Sequence, residues 1–287
     1  MLALCERQRC TIAEAMLRRE CTHLEGDPTE VQKRMTHAWE IMKSAVAEAL
    51  DKHLVSMGGL IGGEAAKLND FRLMGKSICG PLVSKAIAYA MGVLEVNASM
   101  GLIVAAPTAG SAGVLPGVFM AVKEEYGFSD QTMVHALFNA GAVGYLIAKN
   151  ATVAGAEGGC QAEVGAASAM AASAVTALFG GTPKMCLGAA ANAISNLLGL
   201  VCDPVAGLVE SPCQKRNAAG ASNALVSAEL ALSGVENLIP FDEVVAAMLA
   251  VGRRLPPELR ETALGGIAAT PTGCSLCTQV YCKGAEI

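Results

Sequence analysis

Two stretches carry more reactive side chains than the apolar sequence around them requires: "GGCQAEVG" at 158–165 and "VCDPVAGLVESPCQKRN" at 201–217. They set Cys160, Cys202 and Cys213 among glycines, prolines and charges. Cys160 precedes an expected helix, Cys202 adjoins the helix-breaking Asp203-Pro204 pair, and Cys213 follows Pro212 at an expected helix start. Free N–H groups at a helix N-terminus favour thiolate over thiol, so Cys160 and Cys213 occupy places where an anionic metal centre is stabilised. The spacing of the three matches no zinc-ribbon or ferredoxin run. A cysteine without chemistry is a small, buried hydrophobe, and spacing alone leaves both readings open. Cys79 and Cys186 read as core packing.

Next comes "APTAGSAGVLPG" at 106–117, where Thr108, Ala109, Gly110 and Ser111 offer hydroxyls and closely spaced backbone N–H groups able to nest an anion. A plain helix break is the alternative. Lys67, Lys215 and Arg216 are the cations available to pair with an anionic substrate; for Lys215 and Arg216 a solvated first turn serves equally well. The four histidines, His23, His37, His53 and His135, read as structural, three of them on or near an amphipathic N-terminal helix and His135 in an apolar one.

Helices must position these groups. Asp27, Pro28 and Glu30 mark a helix start, followed by Val31, Met35, Trp39, Met42, Val46 and Leu50 on one face. Thr11 and Glu14 repeat the capping signature. Gly58, Gly59, Gly62 and Gly63 predict a loop whose backbone closely approaches something. Helix is expected from Met74 to Met100, over 118–150, over 163–180, over 185–201 until Pro204 stops it, from Cys213, and through "PFDEVVAAMLAVGRRLPP" with acids first and arginines last. Neither strand alternation nor hairpin turns are visible, so the expected fold is all-α: one compact helical catalytic domain with glycine-rich loops carrying the site. Its parts are N-terminal helices over 1–57, a catalytic portion over 58–273 and a cysteine-bearing tail over 274–287.

Composition narrows the function. The 287 residues are 53% hydrophobic and 16% charged, with a formal charge of -5 and no basic stripe, which excludes nucleic acid as a partner. The uncharged run 96–122 is broken by Pro107, Pro116 and glycines, and 164–183 has few large aliphatic residues, so no membrane span is expected. Eleven cysteines behind an N-terminus without a leader's apolar stretch fit a reducing cytoplasm better than a disulfide framework.

The strings "GGEAAKL", "APTAGSAGVLPG", "GGCQAEVG", "CDPVAGLVESPCQKRN" and "GGIAATPTG", in this order over 58–273, resemble the motifs of the iron-sulfur L-serine dehydratases, alpha chain of the two-chain type. The resemblance implies a lyase without pyridoxal phosphate, converting L-serine to pyruvate and ammonia. Its [4Fe-4S] cluster would be held by Cys160, Cys202 and Cys213, with an open iron as Lewis acid on the substrate hydroxyl. It places the loop of Thr108, Ala109, Gly110 and Ser111 at the substrate, where Lys67 and Arg216 are the candidate charge partners. Single-chain members take the α proton with a histidine in a Ser-His-Thr motif, which is missing here, so the resemblance implies a beta chain that supplies the base. Cys274, Cys277 and Cys282 depart from the pattern. They read as a frayed tail, as a zinc or second centre, or, for Cys282, as a thiol that reaches the open iron. An L-cysteine desulfidase using the same cluster, and a non-catalytic iron-sulfur subunit or sensor, are the competing functions.

Overall fold

A computed structural model describes residues 1–23, 27–51 and 54–282. Among them the chain is all-α, and the one β feature is an isolated pairing of Cys202 with Arg260. Thirteen helices follow in order: α1 Leu2–Gln8, α2 Ile12–His23, α3 Pro28–Asp51, α4 Glu64–Leu73, α5 Gly80–Ala98, α6 Val114–Tyr126, α7 Asp130–Asn150, α8 Gly155–Gly158, α9 Ala166–Leu178, α10 Pro183–Ser195, α11 Cys213–Leu232, α12 Phe241–Arg254 and α13 Pro271–Cys282.

The alanine-rich α9 forms the centre because alanine lets helix backbones approach closely without rotamer cost. It packs against α7, α10 and α11, while α5 packs against α6 and α11. Its hydroxyls are satisfied inside the core: Ser168 donates to Gly220 O at 2.9 Å and Ser173 to Asn139 Oδ1 at 2.7 Å. The N-terminal helices join the same body, α2 against α7 and α3 against α5.

The capping signatures form as expected. Thr11 N–H donates to Glu14 and Glu14 N–H to Thr11 Oγ1, a reciprocal box, and Asp27 accepts from Thr29 N–H ahead of α3. Breaks appear where continuous helix was expected. Gly75 and Gly80, both at positive φ, bound the gap between α4 and α5, and Gly127 ends α6. Helix α10 stops at Ser195 because Gly199 turns left-handed and gives its N–H to Gln161 Oε1 at 2.9 Å, steering the chain toward Cys202. At the other end, helix α6 starts at Val114, four residues early, so the small-residue break ends at Gly113.

Three further expectations are corrected. Cys79 is exposed rather than core, because it lies in the α4–α5 gap; Cys186 is buried as expected. His135 is exposed on α7 rather than buried. Cys274, Cys277 and Cys282 lie on α13 rather than on a frayed tail, since Tyr281 Oη donates to Ala206 O at 2.8 Å and docks that helix. The tail residues 283–287 and His53 lie outside the described residues.

Candidate functional site

Each of the three motif cysteines is delivered by a different backbone device. Cys160 precedes a π-helical turn, Gln161–Gly165, that leads into α9. Cys202 is held extended, its N–H on Leu259 O at 2.9 Å and its carbonyl accepting from Glu261 N–H at 2.7 Å. Cys213 is the first residue of α11. All three are buried, at 3%, 3% and 8% exposure. Burial pushes the Cys160 thiol up to about 12, with Arg216 opposing and Glu163 adding. Cys213 is pushed up to about 12 by burial and then by Cys160, and Cys202 is raised by burial, then by Glu163 and Cys160. These mutual influences put the trio and Glu163 within electrostatic reach of one another.

Glu163 joins the trio to the small-residue loop. Its Oε1 accepts from Thr108 Oγ1 at 2.8 Å, and its Oε2 faces Cys202 Sγ at 3.8 Å. Thr108 spends its single proton on Glu163, so the 3.0 Å contact with Ser111 Oγ is donated by Ser111. A hydroxyl relay therefore runs Ser111, Thr108, Glu163. Burial raises the Glu163 carboxyl, and the Thr108 bond counters it. A Cβ on Gly155 would come 2.5 Å from Glu163 Oε2 and 3.1 Å from Cys202 Sγ, so only glycine fits beside this pair.

Asn217, fully buried, ties the loop to the cysteine helix. Its Nδ2 donates to Gly110 O at 2.8 Å and Cys213 O at 2.9 Å, and its Oδ1 accepts from Gly113 N–H at 3.0 Å. Arg216 acts on the other side: it pairs with buried Asp203 at 2.7 Å and donates to Val201 O at 2.8 Å, bracing the segment that carries Cys202. Asp203 Oδ2 in turn accepts from Ile267 N–H at 2.7 Å, fastening the "GGIAATPTG" stretch.

The glycine loop's close approach is to Glu210, three residues before Cys213. This buried carboxylate accepts from Ser56 Oγ at 2.6 Å, Gly58 N–H at 2.7 Å and Leu60 N–H at 3.0 Å. Beside it, Gln214 Nε2 donates to Glu95 at 2.6 Å, and Glu95 accepts from Gly63 and Ala65 N–H at the start of α4. Burial raises Glu95, the more enclosed of a pair with Glu64. The "GGEAAKL" motif is thus a brace for the start of α11.

The structure gathers Cys160, Cys202, Cys213, Thr108, Gly110, Ser111 and Arg216 in this region. Ala109 is exposed at the loop's tip, and Asn97 Nδ2 donates to its carbonyl at 3.3 Å. Lys67 and Lys215 are exposed, and among the described residues no side-chain hydrogen bond or ion pair joins either to the trio or the loop. Arg216 is engaged with protein groups. Glu163, Asn217, Asp203 and Glu210 were not singled out from sequence. Glu163 had a signal, being the only charged residue between Glu157 and Lys184. Among the described residues no three His, Cys, Asp or Glu side chains converge to hold a single metal ion.

A family model described as "Serine dehydratase alpha chain" matches residues 7–268. The chain is 47% identical over 281 residues to "Probable L-serine dehydratase, alpha chain" of Bacillus subtilis, covering 98% of this chain and 93% of that one. To "L-serine dehydratase, alpha chain" of Peptoniphilus asaccharolyticus it is 45% identical over 273 residues, covering 95% and 94%. Against "L-serine dehydratase" of Mycobacterium bovis identity is 36% over 280 residues, which span 93% of this chain and 59% of that longer protein.

Proposed function

This chain belongs to the serine dehydratase alpha-chain family, and we propose that it forms the greater part of an L-serine ammonia-lyase that converts L-serine to pyruvate and ammonia without pyridoxal phosphate. The observation that carries the reading is that the three motif cysteines are buried and that two of them are tied to the same loop, Cys202 through Glu163 to Thr108 and Cys213 through Asn217 to Gly110.

The donor set fits a [4Fe-4S] cluster. Cys160, Cys202 and Cys213 are three buried, disulfide-free thiols set among residues of one connected network, and thiolate sulfur is the donor that iron-sulfur clusters take. Cys160, Cys202 and Cys213 would hold it, and when bound it supplies a Lewis-acidic iron without a cysteine ligand to the leaving hydroxyl. The chain's own residues do the rest. Arg216 places positive charge beside the thiolates. Thr108 and Ser111, whose hydroxyl protons go to Glu163 and Thr108, fix the shape of the loop, Asn217 anchors it at Gly110, and the backbone N–H groups of Ala109 and Gly110 would face the substrate carboxylate. Burial of the three cysteines, Ser111 and Glu163 limits water there until the aminoacrylate forms, tautomerises and is hydrolysed. Loss of the α proton needs a base, and neither His37 nor His135, both exposed on α3 and α7, belongs to this site. We assign the base to a beta chain.

The test is pyruvate release from L-serine and, in parallel, L-cysteine by anaerobically reconstituted chain with a beta chain added. Release from serine, with visible absorbance that shifts on adding serine, supports the assignment. A strong preference for cysteine would replace it with a desulfidase, and a colourless preparation would remove the cluster from the mechanism.

A further inference from the structure

We propose that the apolar patch made by Val55, Met57, Met100 and Leu102 is the docking surface for a separate beta chain, whose contacting face is apolar and which reaches the candidate site across this patch. The inference rests on the two-chain reading above and adds where the second chain sits.

These four side chains are 71%, 74%, 75% and 69% exposed. They come from two segments held side by side, because Met57 N–H donates to Ala98 O at 2.9 Å. Neither segment carries charge: 54–63 and 96–113 contain no Asp, Glu, Lys or Arg. A polar partner would leave this area dry and unmatched, whereas an apolar one gains burial. Two methionines let the surface adapt to the partner's shape.

The patch is built from the site's own loops. Ser56 and Gly58, flanking Met57, hold Glu210 ahead of Cys213, and the segment bearing Leu102 runs on into Pro107, Thr108 and Ser111. The occupant is argued from length. The matched region spans 59% of the longer Mycobacterium bovis protein and 60% of the Helicobacter pylori one, leaving about two fifths in each beyond it. Where that part is a separate polypeptide it must dock, and to complete this site it must dock at its edge. A competing apolar area around Leu238, 92% exposed, borders a cavity of about 760 Å³, but Lys184, Glu236 and Asp242 line it and no site residue does.

The experiment co-expresses the full chain with a beta chain corresponding to that unmatched part. It measures complex formation by sedimentation for wild type, for Met100→Glu with Leu102→Glu, for Met57→Glu, and for Leu238→Glu. The double substitution and Met57→Glu should each weaken association at least tenfold while leaving the isolated chain's melting temperature unchanged; Leu238→Glu should leave association intact. If wild type binds and the patch variants bind equally well, the surface is wrong while the two-chain reading stands. If wild type binds no beta chain, the two-chain reading falls and takes this surface with it. A wild-type chain that self-associates through the patch, with Met100→Glu and Leu102→Glu restoring the monomer, would make its occupant a second copy and overturn the proposal.

Discussion

Cys160, Cys202 and Cys213 differ from the other buried cysteines in their neighbours. Cys186 is also buried and pushed up to about 12 by burial, but its sulfur donates to Gly181 O at 3.7 Å, away from the trio. The trio has one another, Glu163 and Arg216. Replacing any one of the three by Ala should therefore remove iron-sulfur absorbance and activity together, as read by anaerobic spectra and pyruvate assay. Cys186→Ala should keep both and lose about 1–3 kcal/mol in a denaturant titration, and exposed Cys79→Ala should move stability by less than about 0.5 kcal/mol. Retention of the absorbance in Cys202→Ala would refute the ligand set. Asn217 makes a different prediction because it holds loop and helix together without belonging to the trio. Asn217→Ala should keep the absorbance, raise KM for serine about tenfold, and cost about 1–3 kcal/mol by stranding buried groups. At this scale much was legible: the cysteines and the Thr108–Ser111 loop stand out by type and context, and Glu163 by being charged in an uncharged run. Asn217 and Glu210 were not, since their value lies in partners more than 100 residues away along the chain, at Gly110 and Gly58.

Elements were read well where local chemistry decides them. The capping box of α2, the Asp27-Pro28 start of α3 and the charged ends of α12 are all short-range signals, and all three helices form where expected. Ends set from a distance were misplaced: α10 stops early because Gln161 captures Gly199, and α13 becomes a docked helix because Tyr281 finds Ala206. The glycine loop was recognised as a close approach, but its target required the fold. Two substitutions separate the cases. A Cβ on Gly58 would stand 2.3 Å from Leu208 Cδ1 and 2.9 Å from Glu210 Oε1, so Gly58→Ala should displace Glu210, loosen the start of α11 and cost about 1–3 kcal/mol. Gly141, inside α7 with open space around its missing Cβ, should instead gain about 0.5–1 kcal/mol on mutation to Ala. Thermal melts of the two variants should move in opposite directions.

The molecule as a whole is held by contacts between helices distant in sequence, and Asp130 at the start of α7 concentrates several of them. Its carboxylate accepts from Trp39 Nε1 at 2.8 Å and Lys43 Nζ at 2.9 Å, both on α3, and lies 3.5 Å from Lys123 on α6. Trp39, fully buried, packs against Phe119 of α6 at 6.2 Å between ring centroids. The Lys43 and Trp39 bonds lower the Asp130 carboxyl to about 2, whereas an unfolded aspartate titrates near about 3.9. The folded state therefore binds this proton less readily than the unfolded one. The stabilisation is complete above about pH 4 and is lost as pH falls toward about 2. The side chain is 46% exposed, so solvent and salt screen the pairs and the contribution is modest. Urea midpoints of wild type should fall more steeply from pH 4 to pH 2 than those of Asp130→Asn, which keeps the shape but cannot ionise. The difference should shrink in high salt. Parallel curves for the two proteins across that range would mean that the junction of α3, α6 and α7 is held by the burial of Trp39 and Phe119 alone.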